Sequence, residues 1–234
     1  MEQRQEQILK LVIEEYIRTA EPIGSGQIEA MGILDVSAPT IRNELRNLEE
    51  TGYLTHPHTS AGRIPTEKGY EYYLSNLFEK TSPSKKIQEE IQSVYGGSEG
   101  EQKMKDLGKY IAELGNGAVI VAFDPHRIYY TGISYLFSAP EFQNVAHTIR
   151  VSSLFDHCEE HIQEFFDRVV GKDIKVLLGQ NNPMGSMCST ISIRVGDSIF
   201  AFVGPMRMDY RQNIALLEFI QSILLSSEVR EIKS

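Results

Sequence analysis

The stretch from Ser37 to Gly52 does most to restrict what this chain can fold into. Ile41, Leu45 and Leu48 recur at helical spacing and make a narrow apolar stripe, so residues 38–50 are expected to form a helix with one face buried. Ser37 is a candidate cap, Pro39 is tolerated in a first turn, and Gly52 closes the element. Two short extended runs follow at once: Tyr53-Leu54-Thr55-His56, then Arg63-Ile64-Pro65, joined by a small polar loop from Pro57 to Gly62. Thr66 can cap a further helix with Tyr70, Tyr73, Leu74 and Leu77 on one side. Upstream, Ile8, Leu9, Val12, Ile13, Tyr16 and Ile17 predict a helix over 5–19, stopped by Glu21-Pro22. A short helix capped by Ser25 carries Ile28 and Met31 and ends at Gly32. Three helices, a two-stranded ribbon and a closing helix read as a winged helix-turn-helix over residues 1–78.

The outer face of the 38–50 helix holds Pro39, Arg42, Asn43, Arg46 and Glu50. A helix anchored on one side and carrying donors on the other suits the major groove of DNA. Arg matches guanine O6/N7 and Asn matches adenine N6/N7. Ser37, Ala38 and Thr40, at the start of the helix, are placed to touch phosphate or a thymine methyl. The alternative is that Arg42 and Arg46 pair with Glu44, Glu49 or Glu50 on a solvated face. The ribbon loop, with His58, Thr59, Ser60 and Arg63, is small and rich in donors, and Lys68 follows it in the next helix. Such a loop can follow a phosphate backbone, although hairpin ends are commonly polar in any case.

Charge runs against this reading and has to be weighed. The chain carries a formal net charge of −9. Residues 1–78 alone hold seven Lys/Arg against twelve Asp/Glu, a balance of −5. Net charge governs long-range attraction, whereas specific reading depends on where the cations sit. Arg42, Arg46, Arg63 and Lys68 fall in one short stretch, so the composition argues against a nonspecific DNA coater and leaves a specific reader open.

Beyond residue 78 the texture changes. Thr81-Ser82-Pro83-Ser84-Lys85-Lys86 and Gly96-Gly97-Ser98-Glu99-Gly100 are linker-like, with a short helical piece between them, so 79–100 is expected to be a linker. From 101 to 234 a second domain is expected. Its elements are helix 101–114, strands 118–123 and 127–132, and a helical stretch 141–170 broken near Ser152-Ser153. Strands 174–179, 188–195 and 198–204 follow, the last two turning at Gly196-Asp197, and then a helix over 210–225. Strands with helices alongside make the fold class α+β.

The runs Pro39-Thr40-Ile41-Arg42-Asn43-Glu44-Leu45, Leu48-Glu49-Glu50-Thr51-Gly52-Tyr53-Leu54 and His58-Thr59-Ser60-Ala61-Gly62-Arg63-Ile64-Pro65-Thr66-Glu67-Lys68-Gly69-Tyr70 closely resemble the heat-inducible transcription repressor HrcA family. The resemblance resumes at Tyr130-Thr131-Gly132-Ile133-Ser134, at Pro140-Glu141-Phe142 and at Val203-Gly204-Pro205-Met206-Arg207-Met208-Asp209-Tyr210. It implies a winged helix joined to a GAF-like domain, and repression of chaperone operons through the CIRCE inverted repeat. It also implies loss of activity on heating and support of the active form by the chaperonin GroEL. The family carries an inserted dimerisation subdomain. Here only a few residues separate the strand at 117–123 from Gly132-Ile133-Ser134, so the GAF-like domain is expected in a shortened form.

Other chemistry finds less support. His157 and His161 have the i, i+4 spacing of a zinc pair, but no second cluster at metal spacing accompanies them, and they read as surface histidines. Neither Cys158 nor Cys188 sits in a nucleophile motif, and no phosphate-binding Gly-x-x-x-x-Gly-Lys loop occurs. Two cysteines fit a reducing cytoplasm. No apolar run approaches the roughly 18–20 residues of a membrane span, and the polar start is no signal peptide. The loops 179–184 and 204–210 could frame a ligand pocket, with Arg207 as a ligand or interface residue. The simpler reading is two turns, Arg207 bonding neighbouring carbonyls.

The expectation is therefore a cytoplasmic transcriptional repressor, not an enzyme, with no cofactor and no metal. Its partners would be double-stranded DNA carrying an inverted-repeat operator, a second copy of itself, and GroEL. The major-groove set is Ser37, Thr40, Arg42, Asn43 and Arg46; the ribbon set is His58, Thr59, Ser60, Arg63 and Lys68. The alternative is an effector-controlled winged-helix regulator whose GAF-like domain senses a ligand.

Overall fold

A computed structural model describes residues 1–57 and 62–231, without the side chains of 158, 159, 161 and 227–231. The chain divides into two compact units, Met1–Glu79 and Lys80–Ser234.

In the first unit, α1 (Gln3–Thr19), α2 (Ser25–Ala30) and α3 (Ala38–Glu50) precede a ribbon of β1 (Leu54–Thr55) and β2 (Ile64–Pro65). The strands are antiparallel, with Leu54 opposite Pro65 and Thr55 opposite Ile64. α4 (Glu67–Tyr72) closes the unit and runs on as a wider π turn over Tyr73–Leu77. The apolar stripes meet in one core: Ile8, Leu9, Val12, Ile13, Ile23, Ile28, Ile41, Leu45, Leu48, Leu54, Tyr70 and Tyr73 are all buried. Each such side chain is worth about 1.5–3 kcal/mol of burial, which outweighs the modest propensity of helices this short. The cap of α2 is Gly24 rather than the expected Ser25, and the Gly24 N–H donates to the Gln27 side chain at 2.6 Å. Thr66 caps α4 as expected, accepting from the Gly69 N–H at 3.1 Å.

The second unit begins inside the stretch expected as a linker. Within 79–100, α5 (Lys85–Gly96) buries Ile91 and packs on α6 (Glu101–Gly115), with the Tyr110 hydroxyl donating to Glu90 at 2.5 Å. A five-stranded antiparallel sheet follows. It is built from β3 (Ala118–Asp124), β4 (Arg127–Thr131), β5 (Lys175–Leu178), β6 (Cys188–Val195) and β7 (Ser198–Pro205), in the order β4-β3-β7-β6-β5. β3 and β4 are joined directly through Pro125 and His126.

Helices cover both faces of the sheet, which is why β3 reads as an unbroken apolar run rather than an alternating one. One face, with Ala118, Ile120, Ile199, Ala201 and Val203, packs on α7 (Ile133–Ser138), a 3-10 turn (Pro140–Phe142), α8 (Val145–Asp156) and α9 (Cys158–Arg168). The other packs on α6 and on α10 (Tyr210–Glu231). No described helix is long and apolar enough to cross a membrane. The mixture of helices and antiparallel sheet is the expected α+β class.

Three expectations need correction here. α7 was not foreseen, because Ile133-Ser134-Tyr135-Leu136-Phe137 is a short apolar run whose period fits helix or strand alike. The break expected at Ser152-Ser153 falls at His157. Ser152 and Ser153 stay helical by donating their hydroxyls back to the Ile149 and Arg150 carbonyls at 3.0 and 2.8 Å. The last helix runs to Glu231 rather than ending at 225.

Candidate nucleic-acid interface

α3 is fixed from below by Ile41, Leu45 and Leu48, each buried. Neighbouring helices fix its flanks. Glu44 accepts from Arg4 at 3.4 Å and from Gln5 at 3.1 Å, tying α3 to α1. At its N-terminus, Ser37 does not cap; its hydroxyl lies 3.2 Å from that of Thr40. The Ala38 N–H instead donates to the carboxylate of Glu29, on α2, at 2.7 Å. A carboxylate at the positive end of a helix is favourable, and this one also holds α2 and α3 together.

What α3 turns outward is the expected set. Arg42, Asn43 and Arg46 are exposed. Among the described residues, the side chains of Arg42 and Asn43 make no hydrogen bond or ion pair. Arg46 pairs with Glu50 one turn on, at 3.0 Å, with side chains 76% and 63% exposed. A pair that open to water holds its partners weakly. Of the ion pairs weighed against DNA contact, only Arg46–Glu50 forms, since Glu44 turns to α1 and Glu49 to the ribbon.

The ribbon set is placed differently. His58, Thr59 and Ser60 lie outside the described residues. Arg63 bonds Glu49 at 2.7 Å, and its backbone exchanges two hydrogen bonds with Ile23, 2.8 Å as donor and 2.9 Å as acceptor. Lys68 donates to the Thr51 carbonyl at the end of α3 at 2.7 Å and sits over the Tyr53 ring, 4.3 Å from its centre. Both cations thus contact the C-terminal end of α3 as well as flanking the ribbon. An open cleft of about 300 Å3 lies between the start of α2, α3 and the ribbon neck, lined by Ile23, Gly24, Ser25, Arg42, Leu45, Gly62 and Arg63. Glu29 was not expected as part of this region, and Glu49 was weighed only as a partner of Arg42 or Arg46, not of the ribbon. Acidic residues on an acidic chain carry no signal of their partners.

In the second unit, Arg207 pairs with Glu141, at 2.5 and 3.3 Å. Asn182 accepts from the Met184 N–H at 3.1 Å and from the Thr190 hydroxyl at 2.9 Å, and so braces its own loop. A cleft of about 240 Å3 lies elsewhere, between residues 81–84, Ile87 and the start of α10. Among the described residues no group of three His, Cys, Asp or Glu could hold a metal ion, and the side chain of His161 lies outside them. Burial pushes the Cys188 thiol up to about 12, which makes it a poor nucleophile.

The sequence profile of the HrcA protein C terminal domain matches residues 69–214, more than half of the chain. The chain belongs to the HrcA family. It is 44% identical over 115 residues to the heat-inducible transcription repressor HrcA of Carboxydothermus hydrogenoformans, and 53% identical over 95 residues to that of Bifidobacterium animalis subsp. lactis. Those matches take in 49% and 41% of this chain but only 32% and 26% of the relatives, so the chain spans about a third of their length or less. A crystal structure described as a hypothetical protein at 2.2 Å resolution superposes with a TM-score of 0.78 over 97% of this chain and 98% of its own, at 17% identity. That likeness extends the fold to nearly the whole chain.

Proposed function

We propose that this HrcA-family chain is a sequence-specific transcriptional repressor of heat-shock chaperone operons, and not an enzyme. On this reading the first unit is a winged helix-turn-helix, with α3 as recognition helix and the β1–β2 ribbon as wing. The observation that carries it is the state of Arg42 and Asn43: two donors of the types that read guanine and adenine, exposed on a helix anchored at three buried positions, with no partner among the described residues. The names of the relatives, heat-inducible transcription repressors, point the same way.

Ser37, Thr40, Arg42, Asn43 and Arg46 would enter the major groove. His58, Thr59, Ser60, Arg63 and Lys68 would meet the backbone from the wing. An inverted repeat of the CIRCE type demands two-fold symmetry, so the working unit would be a homodimer. The second unit, a shortened GAF-like domain, would hold it together. Loosening of that unit on heating would release the operator without altering α3, and GroEL would support the active form. The cytoplasm is where such a regulator works.

Titration of the full chain onto a CIRCE duplex and a scrambled duplex at several salt concentrations tests this. Tight binding to CIRCE alone, weakening as salt rises, is expected. Equal weak binding to both would reject it.

A further inference from the structure

Glu49 stands in the last turn of α3, where the helix dipole disfavours an anion. On the proposed reading it also lies beside DNA phosphates, which repel it. Its partners explain its presence. One carboxylate oxygen meets Arg63 at 2.7 Å and the other meets Nδ1 of His56. His56 directly follows β1 and Arg63 directly precedes β2, so a single side chain spans both sides of the ribbon neck.

Arg63 and Glu49 keep only 24% and 22% of their side-chain surface exposed, so water screens this pair less than it screens Arg46–Glu50. The neck has little room to settle elsewhere. A Cβ on Gly62 would lie 2.5 Å from the Ile23 backbone, and Arg63 is already bridged to Ile23 by two backbone bonds.

We propose that Glu49 is a positioning residue, which holds the ribbon neck against α3 and thereby sets how the ribbon and the groove-reading face of α3 meet DNA together. This rests on the DNA-binding function proposed above.

The test is Glu49→Gln in the full chain, which keeps size and an acceptor and removes the charge. Two readouts are needed: amide hydrogen exchange over 21–26 and 62–66, and affinity for CIRCE against a scrambled duplex. Faster exchange at the neck is expected, with an unchanged fold. The ratio of operator to scrambled affinity should fall about tenfold, the cost of one mismatched base contact. Binding to scrambled DNA should hold or rise, since a negative charge has gone.

If both duplexes bind more tightly by the same factor, Glu49 acts only as a repelling charge and the proposal fails. Unchanged exchange at the neck also overturns it, whatever the DNA data show. A wild-type chain that binds both duplexes equally overturns instead the reading on which the proposal rests. Should Glu49→Gln fail to fold, His56→Ala removes one of the two partners and is expected to shift both readouts the same way by less.

Discussion

The carboxylate of Glu29 accepts a 2.7 Å hydrogen bond from the backbone N–H of Ala38, so the cap of α3 is supplied by α2. One contact therefore ends a helix and fixes the angle between two. Glu29→Ala should cost about 1 kcal/mol, as loss of an N-cap does. Glu29→Gln should cost less, because the acceptor survives and only the charge at the positive helix end is lost. Urea midpoints of the two variants against the parent check this. Equal stability of Glu29→Ala and parent would remove Glu29 from the cap.

Arg42 and Arg46 sit one turn apart on α3 but differ in their surroundings. Arg42 has no partner among the described residues, whereas Arg46 is turned toward Glu50. On the proposed function Arg42→Ala removes a base contact worth about 1–3 kcal/mol and relaxes discrimination between operator and scrambled DNA. Arg46→Ala is expected to weaken both more evenly and to lower the salt slope by about 1. Affinity measured at three salt concentrations separates the two. Identical salt slopes and ratios for both variants would refute the distinction.

The anchoring of α3 was legible in the sequence because Ile41, Leu45 and Leu48 state their burial through spacing alone, and all three are buried. The same logic located the β6–β7 hairpin, where Gly196-Asp197 marks the turn. Glu29 and Glu49 could not be read this way. Each acts on a residue seven or more positions away across a packed interface, and a carboxylate outside a local motif does not announce its donor. α5 was half visible as a short helical piece; Ile91 is its one buried side chain, a thin signal beside flanking Ser, Pro and Gly.

Gly69 and Gly26 both lie in helices of the first unit, yet they should respond oppositely to an added methyl. At Gly69 a Cβ would sit 2.3 Å from the Tyr53 carbonyl oxygen, where α4 crosses the start of the ribbon. Backbone must move to admit it, so Gly69→Ala should destabilise by about 2 kcal/mol or more. At Gly26 nothing lies within 4 Å of the built Cβ, and Ala there should stabilise by a few tenths of a kcal/mol to about 1 through helix propensity. Thermal melts of the two variants decide it. A tolerated Gly69→Ala would mean that α4 does not press on Tyr53 as described.

Cys188 opens β6 at full burial, opposite Pro205 of β7. With its thiol pushed up to about 12 by desolvation, almost none is thiolate at pH 8, and the side chain has no exposed surface. In a Cys158→Ser background, which leaves Cys188 as the single thiol of the chain, iodoacetamide at pH 8 should label the native protein hardly at all and the urea-unfolded protein fully. The labelling rate in dilute urea then follows how often the second unit opens, which gives a direct probe of that unit on heating. Rapid labelling under native conditions would place β6 in exchange with solvent and contradict its burial. Slow labelling that accelerates together with loss of operator binding would tie release of DNA to opening of the second unit.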